Sequence, residues 1–271
     1  MTAGSRQGDG RERWALPVLR SRAGSLAERF ADSIGRRHPA AVFFAALLSG
    51  FAVLAALSIG LGLLVTDVLV GALGGTDENA IESLAADRTP FLTDVSAVGS
   101  AVGGAPLLPI LVALIALVCA LLRKWRIAAF AVFVLVVESA TYRVTSLAVP
   151  RHRPFVHRLE DLPVNASYPS GHTAAAIAVY AGLVLLLTSA IRSRGLRIAA
   201  WAGAVALPVL VALSRMYRGM HHPLDVAGGL VIGIGAILVL LFACRAAEAA
   251  VRAPVRARAG RLGAGRVRAA P

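Results

Sequence analysis

Apolar residues in this chain run together over long stretches and seldom alternate with polar ones. Runs without a charged residue cover 41–66, 95–122, 173–191, 198–214 and 226–244. Each is close to the length of about 20 apolar residues that a helix needs to cross a bilayer core. A further run begins at Ile127 and reaches Val149, interrupted only by Glu138 and Arg143. The pattern therefore predicts an all-α polytopic membrane protein with six transmembrane helices. It places one membrane domain over 39–244, between a loose basic segment at 1–38 and a loose, disordered basic tail at 245–271.

Composition agrees with this class. Of the 271 residues 57% are hydrophobic and 16% charged, and the mean hydropathy is +0.71, too apolar for an ordinary soluble domain. The net charge of +13 could mean nucleic acid, but its distribution argues otherwise. Twenty-one of the 28 Lys and Arg residues lie before the first span, in the connections at 123–126 and 192–197, or after Cys244. In a six-span arrangement all of these fall on one side. The positive-inside rule makes that side cytoplasmic, with both termini there. The stretch 67–94 holds six acidic residues against Arg88 alone, as expected of an outer loop. A basic tail of this kind meets anionic membrane lipids more readily than nucleic acid. Cys119 and Cys244 both fall at cytoplasmic span ends, so neither a disulfide nor a metal site is expected.

Seven basic residues break the bias: Arg88, Arg143, Arg151, Arg153, Arg158, Arg215 and Arg218. Most of them lie in "RVTSLAVPRHRP" (143–154) and "SRMYRGMHHPLD" (214–225). Together with "PSGH" (169–172) these stretches stand at successive outer ends of the spans, so the chemistry gathers on one face. Guanidinium forks match phosphate oxygens and can neutralise charge that spreads during phosphoryl transfer. A glycine before a helix start lets backbone N–H groups approach an anion. One imidazole can attack phosphorus if a carboxylate holds its other nitrogen, and a second can protonate the leaving oxygen. His221 and Asp225 are four apart, a spacing that lets the carboxylate reach back, and His172 supplies the second imidazole. No metal or other cofactor is required. A structural hydrogen-bonded pair remains the alternative for His221 and Asp225. His152, His157 and His222 read as interfacial or supporting residues, and Glu138 as an ion-pair partner of Arg143.

The set resembles the type 2 phosphatidic acid phosphatase superfamily, which includes the vanadium haloperoxidases, and within it the bacterial membrane branch. The family signature is a Lys followed after six residues by Arg-Pro, then Pro-Ser-Gly-His, then Ser-Arg, five residues, His, three residues and Asp. The second element matches at 169–172 and the third at Ser214, Arg215, His221 and Asp225; the first matches only at Arg153 and Pro154. The resemblance covers roughly 40–244 and implies the six-helix fold with its site at the outer helix ends. It implies His221 as nucleophile of a phosphohistidine, Asp225 as its orienting partner and His172 as general acid. Arg153, Ser170, Gly171 and Arg215 would hold the phosphate. The family Lys falls on Ser146, which carries no charge; Arg143, one turn earlier, or Arg151 could serve instead. The function expected is hydrolysis of a lipid phosphomonoester or diphosphate, of the phosphatidic acid, phosphatidylglycerol phosphate or polyprenyl diphosphate type. Alternatives are a phosphotransferase, or a non-catalytic lipid-phosphate binding or transport protein. A haloperoxidase would need bound vanadate, and the membrane spans favour a lipid substrate.

Overall fold

A computed structural model describes residues 16–35 and 38–267, with side chains given up to residue 252. The described residues are mostly helical, with one isolated bridge between Arg151 and Ala166 in the connection at 149–170. In chain order the helices are α1 (Leu26–Ser33), α2 (Pro39–Ala86), α3 (Pro90–Val102), α4 (Leu107–Leu121), α5 (Trp125–Ala148), α6 (Gly171–Thr188), α7 (Arg194–Tyr217) and α8 (Pro223–Val267). Five of them are long and apolar enough to cross a membrane, or six spans in all if the bent pair α3 and α4 counts as one.

Local chemistry accounts for the boundaries. Thr89 caps α3 by accepting from the Leu92 amide at 3.2 Å, with Pro90 in the first turn, where its missing N–H costs nothing. Ser193 caps α7 in the same way at 3.4 Å. The apolar stretch 95–122 is not one straight helix: Gly103, Gly104 and Pro106 break it, and α3 and α4 meet at a bend of 40°, because neither glycine nor proline supports a helix interior.

Two further expectations are corrected. The acidic stretch after Thr66 is no loop, since α2 passes through a π turn at Leu64–Leu69 and stays helical to Ala86. This helix carries Asp77 and Glu78 in register with the span below. The tail also differs, because the last helix continues beyond residue 245 to Val267. At the other end the described part of the basic N-terminal segment holds a 3-10 turn at Pro17–Leu19 and α1, capped by Ser25.

The chain divides into two compact units, Met1–Gly50 with Val239–Pro271, and Phe51–Leu238. In the first, Phe30 packs edge-on against Phe242 with ring centroids 5.4 Å apart. Glu248 accepts from the Ser21 amide at 2.8 Å, and Arg245 donates to the Val18 carbonyl at 2.9 Å. The second unit contains every residue of the three sequence motifs. In it Tyr168 is almost fully buried. The phenol ring fills a slot between Gly62 and Gly228: a Cβ at Gly62 would lie 2.6 Å from one ring edge, and one at Gly228 2.5 Å from the other. Two glycines thus let α2 and α8 close on the residue that precedes Pro169. Gly228→Ala is expected to destabilise the protein by about 1–3 kcal/mol, the usual cost of overpacking, read as a lower melting temperature of the detergent-solubilised chain.

Candidate active site

The turn between α7 and α8 sets the site. Helix α7 closes with the Met220 amide on the Arg215 carbonyl (3.0 Å) and the Gly219 amide on the Met216 carbonyl (2.9 Å). Gly219 has φ +71°, the left-handed conformation that this type of helix end favours and glycine adopts freely. Two residues later His221 is buried. Its Nδ1 lies 2.7 Å from the Ser167 carbonyl oxygen. A carbonyl can only accept, so Nδ1 carries the proton and Nε2 keeps its lone pair. Burial, opposed by Asp225, pushes the His221 pKa down to about 4, which leaves the ring neutral at ordinary pH.

Asp225, in the first turn of α8, is fully buried. Its Oδ2 is 3.8 Å from His221 Nδ1, beyond a hydrogen bond, so the Ser167 carbonyl is the nearer partner of the imidazole. The carboxylate accepts elsewhere: from Ser167 Oγ at 2.5 Å, from the His222 amide at 2.9 Å and from Arg151. Ser167 therefore joins Asp225 through its hydroxyl and His221 through its carbonyl.

Helix α2 enters here. Arg151 also pairs with Asp77 at 2.6 Å, and Asp77 accepts from the Leu224 amide at 3.1 Å. His222 lies between Asp225 (3.3 Å from Nδ1) and Glu78 (2.9 Å from Nε2). Burial works against a charge there, but the two carboxylates raise its pKa above the usual histidine value. Nothing in the sequence signals the links to Asp77 and Glu78, which join residues 74 to 147 positions apart. Arg151 thus serves a carboxylate network.

The most deeply buried guanidinium of the motifs lies on α7. The Arg215 side chain is 0% exposed. Its Nη1 donates to Ser100 Oγ and to Glu160 Oε2, both at 2.6 Å, while Nε and Nη2 have no partner. Glu160 also accepts from Arg218 Nε at 2.6 Å and from Ser100 at 3.0 Å. Burial opposes its charge, but the hydrogen bonds from Arg215 and Arg218 hold its carboxyl at about 2. The ring of His172, second residue of α6, makes no hydrogen bond among the described residues. Arg215, His221, Glu160 and Arg153 are near enough to act on its charge. Gly104 gives the ring room, since a Cβ there would sit 2.8 Å from Nε2.

The remaining sequence candidates divide. Arg153 is buried, donating to the carbonyls of Pro163 (2.9 Å), Ala166 (2.8 Å) and Met220, so it clamps the connection between α5 and α6 as well as bordering Arg215. Ser170 is buried with its hydroxyl 3.0 Å from that of Thr173, and its amide donates to the Asp225 carbonyl at 2.9 Å. Gly171 starts α6 against the Tyr142 ring, which a Cβ would approach to 3.0 Å. Arg143 is not brought to the cluster. The buried face of α5 carries Glu138, Thr141 and Thr145, and Arg143 lies on the opposite, exposed side. Nor does it pair with Glu138, whose carboxylate accepts from Ser139 at 2.9 Å. Sequence reasoning passed over Ser100, Asp77, Glu78, Glu160 and Ser167.

Residues 127–247 match the model of the PAP2 superfamily. An undecaprenyl-diphosphatase of Sulfolobus acidocaldarius is 36% identical over 95 residues, 33% of this chain and 42% of the relative, so the match spans less than half of that protein. The PAP2-type phosphatidylglycerolphosphate phosphatase of Bacillus subtilis superposes with a TM-score of 0.58 at 24% identity, covering 75% of this chain and 94% of the other. LpxE of Aquifex aeolicus superposes with a TM-score of 0.48 at 21% identity over 61% and 94%.

The depressed His221 value has a consequence for stability. The unfolded chain, with histidine near 6.5, takes up a proton between about pH 6.5 and 4 that the folded chain refuses, so His221 makes stability fall as pH falls through that window. His221→Asn is expected to flatten the fall in melting temperature over this range, measured in detergent at matched ionic strength.

Proposed function

We propose that the chain is a member of the PAP2 superfamily, whose model residues 127–247 match, and that it is an integral membrane phosphatase that hydrolyses a phosphomonoester or diphosphate of a lipid. One observation carries the reading: Arg215, fully buried, keeps Nε and Nη2 unpartnered beside an unbonded His172 and a His221 whose Nδ1 is occupied. Buried guanidinium N–H groups without acceptors are costly, and a phosphate supplies acceptors in matching geometry. The undecaprenyl-diphosphatase relative supports a lipid diphosphate among the substrates.

In the proposed reaction the Nε2 lone pair of His221 forms a bond to phosphorus while the bond to the lipid oxygen breaks. His172 gives its proton to the departing oxygen. Neutral His172 then takes a proton from a water whose oxygen attacks phosphorus; the P–N bond breaks, and its electron pair returns to His221. Arg215 neutralises charge on the transferring oxygens. Ser167 and Asp225 hold the His221 tautomer. These residues supply nucleophile, acid and positive charge, so the proposal has no metal step.

The tests separate the roles. His221→Ala is expected to abolish both turnover and any phosphoenzyme trapped by alkaline quench. His172→Ala is expected to lose most activity on a lipid phosphate yet retain more on nitrophenyl phosphate, whose leaving group needs little protonation. A labelled intermediate that survives in His221→Ala and disappears in His172→Ala would exchange the two roles. Activity is expected to persist in a chelator.

We also place the site on the extracytoplasmic side, because the six-span reading of the sequence assigns the 21 clustered basic residues to the cytoplasmic side. In a background lacking Cys119 and Cys244, a cysteine replacing the exposed Phe155 is expected to react with an impermeant thiol reagent on intact cells, and one replacing Arg194 is not. The reverse labelling would overturn the orientation.

A further inference from the structure

The carboxylate of Glu160 occupies the pocket in an unusual way. Its two oxygens go to different guanidiniums, Oε2 to Arg215 and Oε1 to Arg218, and Ser100 bonds both Glu160 and Arg215. Two oxygens on one central atom, shared between two cationic forks and a hydroxyl, present the arrangement that two oxygens of a phosphate group would present. Yet Glu160 leaves Arg215 Nε and Nη2 without acceptors, so the carboxylate fills the pocket incompletely.

We propose that Glu160 is an internal, displaceable ligand of the phosphate pocket, which an incoming terminal phosphate must replace and which turns away phosphodiester headgroups. This rests on the phosphatase reading given above. The residue is built to leave. Its side chain is 27% exposed while that of Arg215 is 0%, and it lies in the non-helical connection between α5 and α6, so it can swing to water. Its backbone is fixed independently: the Leu159 amide donates to the Arg218 carbonyl at 3.1 Å, and Arg218 Nη2 donates to the Leu159 carbonyl at 3.1 Å. Its low pKa keeps it charged at neutral pH, so displacement and not protonation opens the pocket.

Selectivity follows from charge and tethering. A phosphodiester carries a single negative charge, as the carboxylate does, and must compete with a group already held at high effective concentration. A terminal phosphate brings up to two charges and three free oxygens, enough to take both forks and to reach the nitrogens that Glu160 leaves bare. The abundant phosphodiester lipids of a membrane would thus be excluded by a threshold and not by shape.

Binding tests this without requiring turnover. The full chain in detergent is titrated calorimetrically with inorganic phosphate and with dimethyl phosphate, a phosphodiester monoanion. A pocket open about one-tenth of the time binds about tenfold more weakly than an open one, so Glu160→Gln and Glu160→Ala are expected to bind inorganic phosphate at least about tenfold more tightly than wild type and to gain measurable affinity for dimethyl phosphate. Equal or weaker phosphate binding in both variants overturns the proposal. Wild type alone answers through the two titrants: inorganic phosphate is expected to bind measurably more tightly than dimethyl phosphate, and equal affinities overturn the proposal. Tightened binding in a chain that hydrolyses no lipid phosphate would leave the gate standing and remove the phosphatase reading; hydrolysis without tightening would do the opposite.

Discussion

The structure is organised around one buried carboxylate. Asp225 starts α8 with no exposure to solvent, and a buried ion is tolerated only when its charge and its lone pairs are met. Meeting them draws in Arg151 and Ser167 from the connection after α5, and the amide and ring of His222 from the turn before α8. Arg151 and His222 then need partners of their own, and Asp77 and Glu78 of α2 provide them. The helical extension that carries those two acids beyond the first apolar span is thereby accounted for. His221 is a beneficiary of this network, with its ring steered by the Ser167 carbonyl, itself fixed because the Ser167 hydroxyl is held by Asp225.

Much of this architecture was legible in the sequence, for reasons that are local. Apolar run length predicts membrane helices because the bilayer fixes how many residues a span needs, and only the Gly-Gly-Ala-Pro at 103–106 bent a span drawn as straight. The motif residues His172, Arg215, His221 and Asp225 were legible because helix and turn spacing place them at neighbouring ends. What escaped depends on distant pairing. Asp77 and Glu78 read as outer-loop charge and Glu160 drew no reading, since nothing near them in sequence shows that they face Arg151, His222 and Arg215. Ser167 escaped because its carbonyl acts on His221, and a main-chain acceptor leaves no mark on residue type. Arg143 was drawn toward the site by its one-turn distance from Ser146. The buried face of α5 lies on the other side of that helix, so the turn count alone misled.

Counting arginines would also have misjudged the pocket, because the guanidiniums are committed to different ends. Arg151 is taken by two carboxylates, and Arg153 donates to three backbone carbonyls. Arg218 divides its donors between Glu160, Ser96 and the Leu159 carbonyl. Arg215 is the member of the set with buried nitrogens left over. Spare donor capacity in a dry place, and not net positive charge, distinguishes a binding arginine from a structural one.

The same reasoning distinguishes the carboxylates. Asp77 and Asp225 face Arg151 with exposures of 3%, 0% and 9% respectively; separating any of them would leave a charge stranded away from water, a large penalty that locks the network. Glu160 pairs with a still more buried arginine but is itself 27% exposed, so its own hydration on leaving offsets part of the loss. Arg215 still needs an anion when Glu160 departs, and the departure is therefore coupled to the arrival of another. A structural ion pair and an exchangeable one can share the same residue types and the same short distances. The difference lies in which partner can reach water, and here the carboxylate can while the guanidinium cannot.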